Sequence, residues 1–205
     1  YMWRQQLFVM TMATPLMMVL SIYFMNMAYG FFTESRSKRL ITARFGEYIP
    51  KELVDEMAKD PEAASMEGES REMTVLFSDV RNFTTISEGL SASELSKLMN
   101  AYLTPMTEII QAERGTIDKY IGDAIMCFWG APLRDHEHAR RGVAAALAMQ
   151  KRVRELWPEF EAHGWPKLEI GVGLNSGDMR VGNMGSSFRR AYTVMGDAVN
   201  LGSRL

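Results

Sequence analysis

The sequence predicts an α+β domain whose helices pack on one face of an antiparallel β-sheet. Strand-length apolar runs alternate with two long amphipathic patterns, and a Gly-Asp turn signal joins two of the runs as a hairpin. With 205 residues and 47% hydrophobic content, the chain can also bury a core of ordinary size. The near balance of 23 basic and 25 acidic residues gives no electrostatic reason to expect nucleic acid as a partner.

The first strand and the first long helix are the clearest elements. EMTVLFSD, residues 72–79, is rich in apolar and β-branched residues and suits the centre of a sheet. Residues 91–115 then show helical periodicity, with Ser91 and Glu94 spaced as a capping box and Gly115 as a stop.

The remaining elements follow in the same alternation. TIDKYIGDAIMCFWG, residues 116–130, splits into two strands around Gly122-Asp123, and residues 135–160 form a second amphipathic helix with Asp135 available as its cap. LEIGVGLNSG and MRVGNMGS are two further strands, followed by AYTVMG and the start of a helix at DAVNLGSRL. The order β-α-β-β-α-β is a ferredoxin-like arrangement.

An uncharged stretch precedes this domain. Residues 7–33 carry no charged side chain, and roughly 20 apolar residues suffice to cross a bilayer. We expect a transmembrane helix, with a buried core helix or a signal peptide as the alternatives. Basic residues are concentrated after the stretch, which predicts that the rest of the chain is cytoplasmic.

The expected organisation therefore has three parts. Residues 1–33 hold the transmembrane helix, residues 34–70 form a helical linker or neck, and residues 71–205 form the domain. The single cysteine, Cys127, cannot make an internal disulfide, which favours an intracellular domain. Because the chain starts at Tyr1 rather than a methionine and stops without a closing turn, we expect it to be part of a longer protein.

Two carboxylates raise a chemical question. Asp79 ends the first strand and Asp123 lies in the hairpin turn, so both can meet at one end of the sheet. Such carboxylates repel unless a divalent cation neutralises them, and Mg²⁺ binds one or two carboxylates together with substrate phosphates. The backbone amides of Phe83 and Thr84 would face an anion if a helix begins there. The alternative is that Asp79 is only a helix cap and Asp123 only a turn residue.

Three motifs together resemble the signatures of class III adenylyl/guanylyl cyclases. They are TVLFSDVRNFTTISE, DKYIGDAIMCFWGAP and YTVMGDAVNLGSRL, in the family's order, and RFGEYIPKELVDEM is similar to the segment that precedes the domain in membrane-anchored bacterial members. The resemblance implies an α+β cyclase palm and a homodimer with active sites at the subunit interface. It also implies conversion of a nucleoside triphosphate to the 3′,5′-cyclic monophosphate and pyrophosphate.

The resemblance assigns the metal and base sites residue by residue. Asp79, Asp123 and the backbone carbonyl of Val80 match the ligands of two ions, Mg²⁺ or Mn²⁺, that activate the ribose 3′-hydroxyl and hold the phosphates. Lys119 and Thr193 match the pair that accompanies adenine, where guanylyl cyclases typically carry Glu and Cys. A lysine can donate to adenine N1 and a threonine can accept from the exocyclic amine, so the pair suits ATP.

Further residues match the ribose and phosphate contacts. Asn200 matches the asparagine that orients the ribose, and Arg204, at i+4, matches the arginine that stabilises charge on the phosphate. Arg189 is a weaker match to a phosphate-contacting arginine, because the adjacent Arg190 could serve equally. The family continues beyond this motif with further strands and a phosphate-binding lysine, so we expect the catalytic domain to extend past Leu205.

The hypothesis from sequence is a membrane-tethered adenylate cyclase that makes cyclic AMP from ATP in signal transduction, located at the cell membrane with its catalytic domain in the cytoplasm. One alternative is a catalytically silent regulatory or dimerisation module, and another is a guanylate cyclase. A diguanylate cyclase would carry a Gly-Gly-Asp/Glu-Glu-Phe signature, which the sequence lacks.

Overall fold

The computed structural model describes residues 15–27, 68–186 and 190–205, and the chain forms two compact units, Tyr1–Arg44 and Phe45–Leu205. In the first unit, residues 15–27 form a helix, α1, with exposed side chains. Within the described ranges, no helix combines the length and the apolar character needed to cross a membrane. Residues 15–27 of the predicted span over residues 7–33 are helical, whereas the rest of the span and residues 34–67 of the predicted neck lie outside these ranges, so both stay predictions.

The second unit alternates strands and helices as predicted. Its elements in chain order are β1 (Glu69–Val80), α2 (Phe83–Glu88), α3 (Ala92–Ala112), β2 (Thr116–Ile121), β3 (Ala124–Trp129), α4 (His138–Glu155), α5 (Trp157–Ala162), β4 (Ile170–Gly185), β5 (Arg190–Met195) and α6 (Asp197–Gly202).

The five strands of the described residues form one antiparallel sheet in the order β2-β3-β1-β4-β5. The first four follow the ferredoxin-like order, which confirms the predicted α+β class, and β5 extends the sheet by one strand. The two strands predicted around Gly177 are wrong, because they form the single 16-residue strand β4. This strand is continuous because β1 pairs with it as far as Val181 and β5 pairs with it from Arg180 onwards.

One face of the sheet is covered by α3 and α4. Leu76 and Val80 of β1 alternate with residues of the other face and enter this core. The other fully buried members come from the helices and from the adjoining strands: Leu98, Tyr102, Met106, Ile110, Ile125, Cys127, Trp129, Ala145, Met149 and Phe160. This layer is the arrangement that the amphipathic patterns predict.

The second face is also covered, contrary to the prediction that helices occupy one face only. Helix α6 lies over β1 and β4, where Gly202 approaches Val75 and the Asn175 side-chain amide donates to the Ala198 carbonyl at 2.8 Å. The rings of Phe128 on β3 and Tyr192 on β5 lie 6.2 Å apart. The sheet therefore curls, and its own edge strand helps to bury its second face.

The predicted helix over residues 135–160 is two helices, and Asp135 does not cap it. The residue before α4 is Glu137, whose backbone amide donates to Asp135 Oδ1 at 2.8 Å, so Asp135 stabilises the preceding turn. Helix α4 ends at Glu155 because Pro158, in the first turn of α5, has no amide hydrogen to continue the helical pattern. The capping box of Ser91 and Glu94 on α3 is confirmed.

Gly115 follows α3 as predicted, but the position does not require glycine for a left-handed turn at the end of the helix. The left-handed residue is Arg114, with φ 63°, whereas Gly115 is needed for close packing. A Cβ at Gly115 would lie 2.6 Å from Ile110 Cγ2 and 2.9 Å from the Trp129 ring. These distances leave no room for a methyl group between α3 and β3.

We therefore expect Gly115→Ala to lower the free energy of unfolding by about 1–3 kcal/mol, the usual cost of overpacking a core. The matched control is Gly89→Ala, where the nearest atoms to an added Cβ are 3.6 Å and 3.7 Å away. Urea denaturation of both variants measures the difference. Equal stability of the two would show that the α3–β3 contact relaxes without cost.

Candidate active site

The sheet brings Asp79 and Asp123 together, as predicted. Asp79 is the penultimate residue of β1, and Asp123 follows Gly122, which adopts the left-handed φ of 67° in the turn between β2 and β3. Because β1 pairs with β3, this turn lies beside the end of β1. The backbone amide of Val80 donates to Asp123 Oδ2 at 3.0 Å, which holds the second carboxylate against the first strand.

The surroundings of Asp123 disfavour its charged form. Burial and the neighbouring Asp79 raise the pKa of Asp123 above its usual value. Beneath them, burial raises the pKa of Tyr102, the charges of Asp123 and Asp79 add to the shift, and the nearby Ser78 hydroxyl opposes it. A positive ion at this position would relieve the repulsion.

The donor set fits a hard divalent cation. Asp79 and Asp123 supply two carboxylates, and Mg²⁺ is commonly held by one or two carboxylates with the remaining ligands from water and substrate phosphates. No group of three or more His, Cys, Asp or Glu side chains suited to a metal occurs in the part of the chain that the structure describes. Two carboxylates at one place fit a cation that takes its remaining ligands from water and a substrate.

Lys119 and Thr193, predicted to accompany the base, are linked through a third residue. Thr193 Oγ1 donates to Asp118 Oδ2 at 2.5 Å, and Lys119 Nζ lies 3.1 Å from Asp118 Oδ1. The second pair is close but not aligned as a hydrogen bond, so the contact is an ion pair. The structure thus brings the two predicted residues to one place, at the meeting of β2 and β5.

Phe83 and Thr84 occupy the first two positions of α2, three and four residues after Val80. Asn82, just before them, has φ 57°, which turns the chain sharply from the strand into the helix. The predicted helix start close to Asp79 is therefore confirmed. Binding of phosphate by these backbone amides stays a prediction.

Asn200 and Arg204 lie on the face of the sheet that α6 covers. Asn200 is within α6, but the helix ends at Gly202, so Arg204 belongs to the turn that follows and not to the same helix as predicted. The backbone amide of Arg204 donates to the Leu201 carbonyl at 3.0 Å. Arg189 lies outside the described residues, and Arg190 begins β5 opposite Gly185.

Asp118 is the residue of this site that sequence reasoning missed. Its side chain is fully buried, whereas that of Lys119 is 47% exposed. A charged residue inside a strand, next to a lysine already assigned to the base, was an available signal. Its burial was not evident because β2 has an irregular register between Ile117 and Lys119, which breaks the simple alternation of faces.

Comparison with known proteins places these features in a family. A family model described as "Adenylate and Guanylate cyclase catalytic domain" matches residues 66–205. Adenylate cyclase 1 of Rhizobium meliloti is 35% identical over 161 residues, which cover 78% of this chain and 24% of that protein. The adenylate cyclase of Anabaena cylindrica is 36% identical over 140 residues, covering 66% of this chain and 27% of that protein. The chain thus spans about a quarter of the length of these relatives.

Solved structures give the same result. The adenylyl cyclase CyaB from P. aeruginosa is 42% identical with a TM-score of 0.65, covering 67% of this chain and 72% of that one. The guanylyl cyclase Cya2 is also 42% identical, with a TM-score of 0.64 and coverage of 67% and 70%. The three motifs, the fold and these matches agree, and the chain belongs to the class III adenylyl/guanylyl cyclase catalytic domain family.

Proposed function

We propose that the chain is the catalytic part of an adenylate cyclase that converts ATP to 3′,5′-cyclic AMP and pyrophosphate. The observation that carries the proposal is the contact between Asp79 and Asp123 at the end of the central strand, which the described fold supports with a hydrogen bond from Val80. A catalytically silent module would have no need to keep two mutually repelling carboxylates in contact.

The base-binding residues favour ATP over GTP. The ammonium of Lys119 has three donors and no acceptor, so it can donate to adenine N1 but cannot accept the N1 hydrogen of guanine. The Thr193 hydroxyl can accept from the exocyclic amine of adenine. Guanylate cyclase remains the second candidate because a guanylyl and an adenylyl cyclase structure match this chain at the same identity of 42%.

The two aspartates are the proposed ligands of Mg²⁺ or Mn²⁺, two ions per site, with the Val80 carbonyl as a further ligand. When bound, such ions neutralise the triphosphate and activate the ribose 3′-hydroxyl for attack on the α-phosphate. Around them, Asn200 orients the ribose, and Arg204 compensates the charge that develops on the phosphate. Arg189, or equally the adjacent Arg190, is proposed to contact the phosphates together with the backbone amides of Phe83 and Thr84.

The active enzyme is proposed to be a homodimer with its sites at the subunit interface. Large apolar side chains are exposed on the elements that carry the site: Ile121 at 56%, Met195 at 53% and Leu201 at 52%. Exposed apolar residues around a polar site mark a surface that another chain covers. The aspartates of one chain would then work with Lys119, Thr193, Asn200 and Arg204 of the other.

The cellular setting is a separate proposal that rests on sequence. The uncharged stretch over residues 7–33 and the basic residues after it support an anchor in the cell membrane with a cytoplasmic catalytic domain. The neck over residues 34–70 would carry a signal from other parts of the protein to the catalytic domain in signal transduction. Protease digestion of the catalytic domain in sealed membrane vesicles of known orientation tests this proposal.

Cation binding is expected to stabilise the cyclase domain in a way that depends on both carboxylates. Mn²⁺ at about 100 times its dissociation constant should raise the free energy of unfolding by about 2.7 kcal/mol, and Asp79→Asn or Asp123→Asn should abolish this gain. Both variants should also lose more activity than the ~10–100-fold typical of a group that only supports a metal ligand. Thermal melting with and without Mn²⁺ separates binding from catalysis.

The same measurement has a predicted pH dependence. Because the pKa of Asp123 is raised, a proton competes with the cation, so stabilisation by Mn²⁺ should grow as the pH rises through that pKa. Without cation the sign reverses: ionising Asp123 costs more in the folded than in the unfolded state, so this group's contribution to stability falls over the same range. A cation effect that does not change with pH would contradict the assignment.

Complementation is expected if the site is shared between chains. Asp79→Asn and Asn200→Ala should each inactivate a homodimer, whereas their mixture should recover about a quarter of wild-type activity. Random exchange makes half of the dimers mixed, and each mixed dimer contains one intact site of two. Absence of recovery, with mixed dimers demonstrated by differential tags, would count against a shared site.

Base preference is expected to follow Lys119 and Thr193. The double variant Lys119→Glu, Thr193→Cys should lower the ratio of ATP to GTP turnover by about 10- to 100-fold, because a well-aligned polar contact discriminates between bases by about 1–3 kcal/mol. Mass spectrometry of the cyclic products from the full-length protein, given each nucleotide, measures the ratio. A wild-type protein that makes only cyclic GMP would replace the first candidate function with the second.

A further inference from the structure

We propose that Asp118 is a specificity-determining residue that makes Thr193 a hydrogen-bond acceptor and so selects adenine over guanine. The inference rests on the proposed adenylate cyclase function and deepens it. Asp118 does not reach the base, since its side chain is fully buried. It acts through Thr193, and is therefore a positioning residue.

The chemistry of a hydroxyl group carries the first step. A threonine hydroxyl has one hydrogen to donate and two lone pairs that accept. In this structure the hydrogen of Thr193 is donated to Asp118 Oδ2 at 2.5 Å, a short bond of the kind that a carboxylate makes. With its only hydrogen committed, Thr193 can offer nothing but lone pairs to a ligand.

The acceptor character of Thr193 has a direct consequence for base choice. At the six position, adenine presents an amine that donates and guanine presents a carbonyl that accepts. A hydroxyl that only accepts can pair with the amine of adenine, whereas it repels the carbonyl of guanine. A threonine without Asp118 could rotate and donate to guanine, so the hydroxyl alone would discriminate weakly.

Asp118 also constrains the second base-contacting residue. Lys119 Nζ lies 3.1 Å from Asp118 Oδ1, so the same carboxylate holds the ammonium near the hydroxyl that it polarises. The lysine side chain remains 47% exposed and therefore accessible to a ligand. One buried carboxylate thus holds both a donor, the Lys119 ammonium, and an acceptor, the Thr193 hydroxyl. Adenine requires these two groups at its N1 and at its neighbouring exocyclic amine.

A purely structural role for Asp118 is the competing explanation. The Thr193–Asp118 bond joins β2 and β5, the two outer strands of the sheet, and its loss would also loosen this contact. Such loosening would lower activity with ATP and GTP alike. The two roles therefore differ in the ratio of the two activities, and not in either activity alone.

The test measures kcat/KM for ATP and GTP in the full-length protein and in Asp118→Asn. An asparagine can donate to Thr193, which frees the threonine hydrogen for guanine, and the ratio of ATP to GTP should fall by about tenfold or more. In a Thr193→Val background, Asp118→Asn should change the ratio much less than it does in the wild type, because only its contact with Lys119 is left to act. An unchanged ratio in Asp118→Asn itself, with cyclic AMP still formed, overturns the inference.

A relocated carboxylate provides the second variant. Asp118→Asn combined with Thr193→Asp keeps the charge and keeps a hydrogen bond between the two positions, so it should fold even where the single change does not. It places an acceptor-only group at residue 193 and should restore the preference for ATP. A folded double variant that prefers GTP or shows no preference overturns the inference.

The outcome for the wild-type protein separates the two proposals. If the wild type forms cyclic AMP and the variants keep its base preference, only the role of Asp118 fails. If the wild type forms no cyclic AMP from ATP, the proposed function fails and the role of Asp118 in adenine selection fails with it. A fall of the ratio in Asp118→Asn and its recovery in the double variant together support the inference.

Discussion

The position of β1 between two antiparallel partners is the constraint on which the rest of the domain depends. Its 12 residues pair with β4 over their whole length, and residues Thr74–Ser78 also pair with β3. Buried on both faces, the strand directs Leu76 and Val80 towards α3 and α4, and Val75 towards α6. Pairing with β4 and the bond from Val80 to Asp123 fix the end of β1, so Asp79 has a defined position beside Asp123.

Two groups of charged or polar side chains within this apolar framework form the candidate site, and each has a partner that offsets part of the cost of burial. At the end of β1, the Val80 amide supports Asp123 beside Asp79, and burial together with Asp79 raises the pKa of Asp123. Where β2 and β5 meet, Thr193 and Lys119 surround Asp118. The first group sets two carboxylates side by side, which fits a cation site, and the second holds the Lys119 ammonium beside a carboxylate, which fits a base site.

Sequence patterns were most informative where short-range rules decide the structure. The capping box of Ser91, the Gly122-Asp123 turn and the apolar run that ends at Asp79 were all predicted, because each depends on neighbouring residues or on a strict period. Sequence patterns failed where the structure depends on side-chain packing or on pairing between strands that are distant in the chain. Gly177 suggested a break in a strand that pairing on both sides keeps continuous.

The sequence by itself determined the family and the α+β class, and its resemblance to the family assigned the metal, base and ribose residues, because the motifs that carry the resemblance are local in the chain. Only the tertiary structure decided that α6 and the curled sheet close the second face. It also decided that Asp118 lies between Lys119 and Thr193, a contact across 75 residues of chain. No local rule encodes such a contact, since it arises from the twist and curl of the whole sheet.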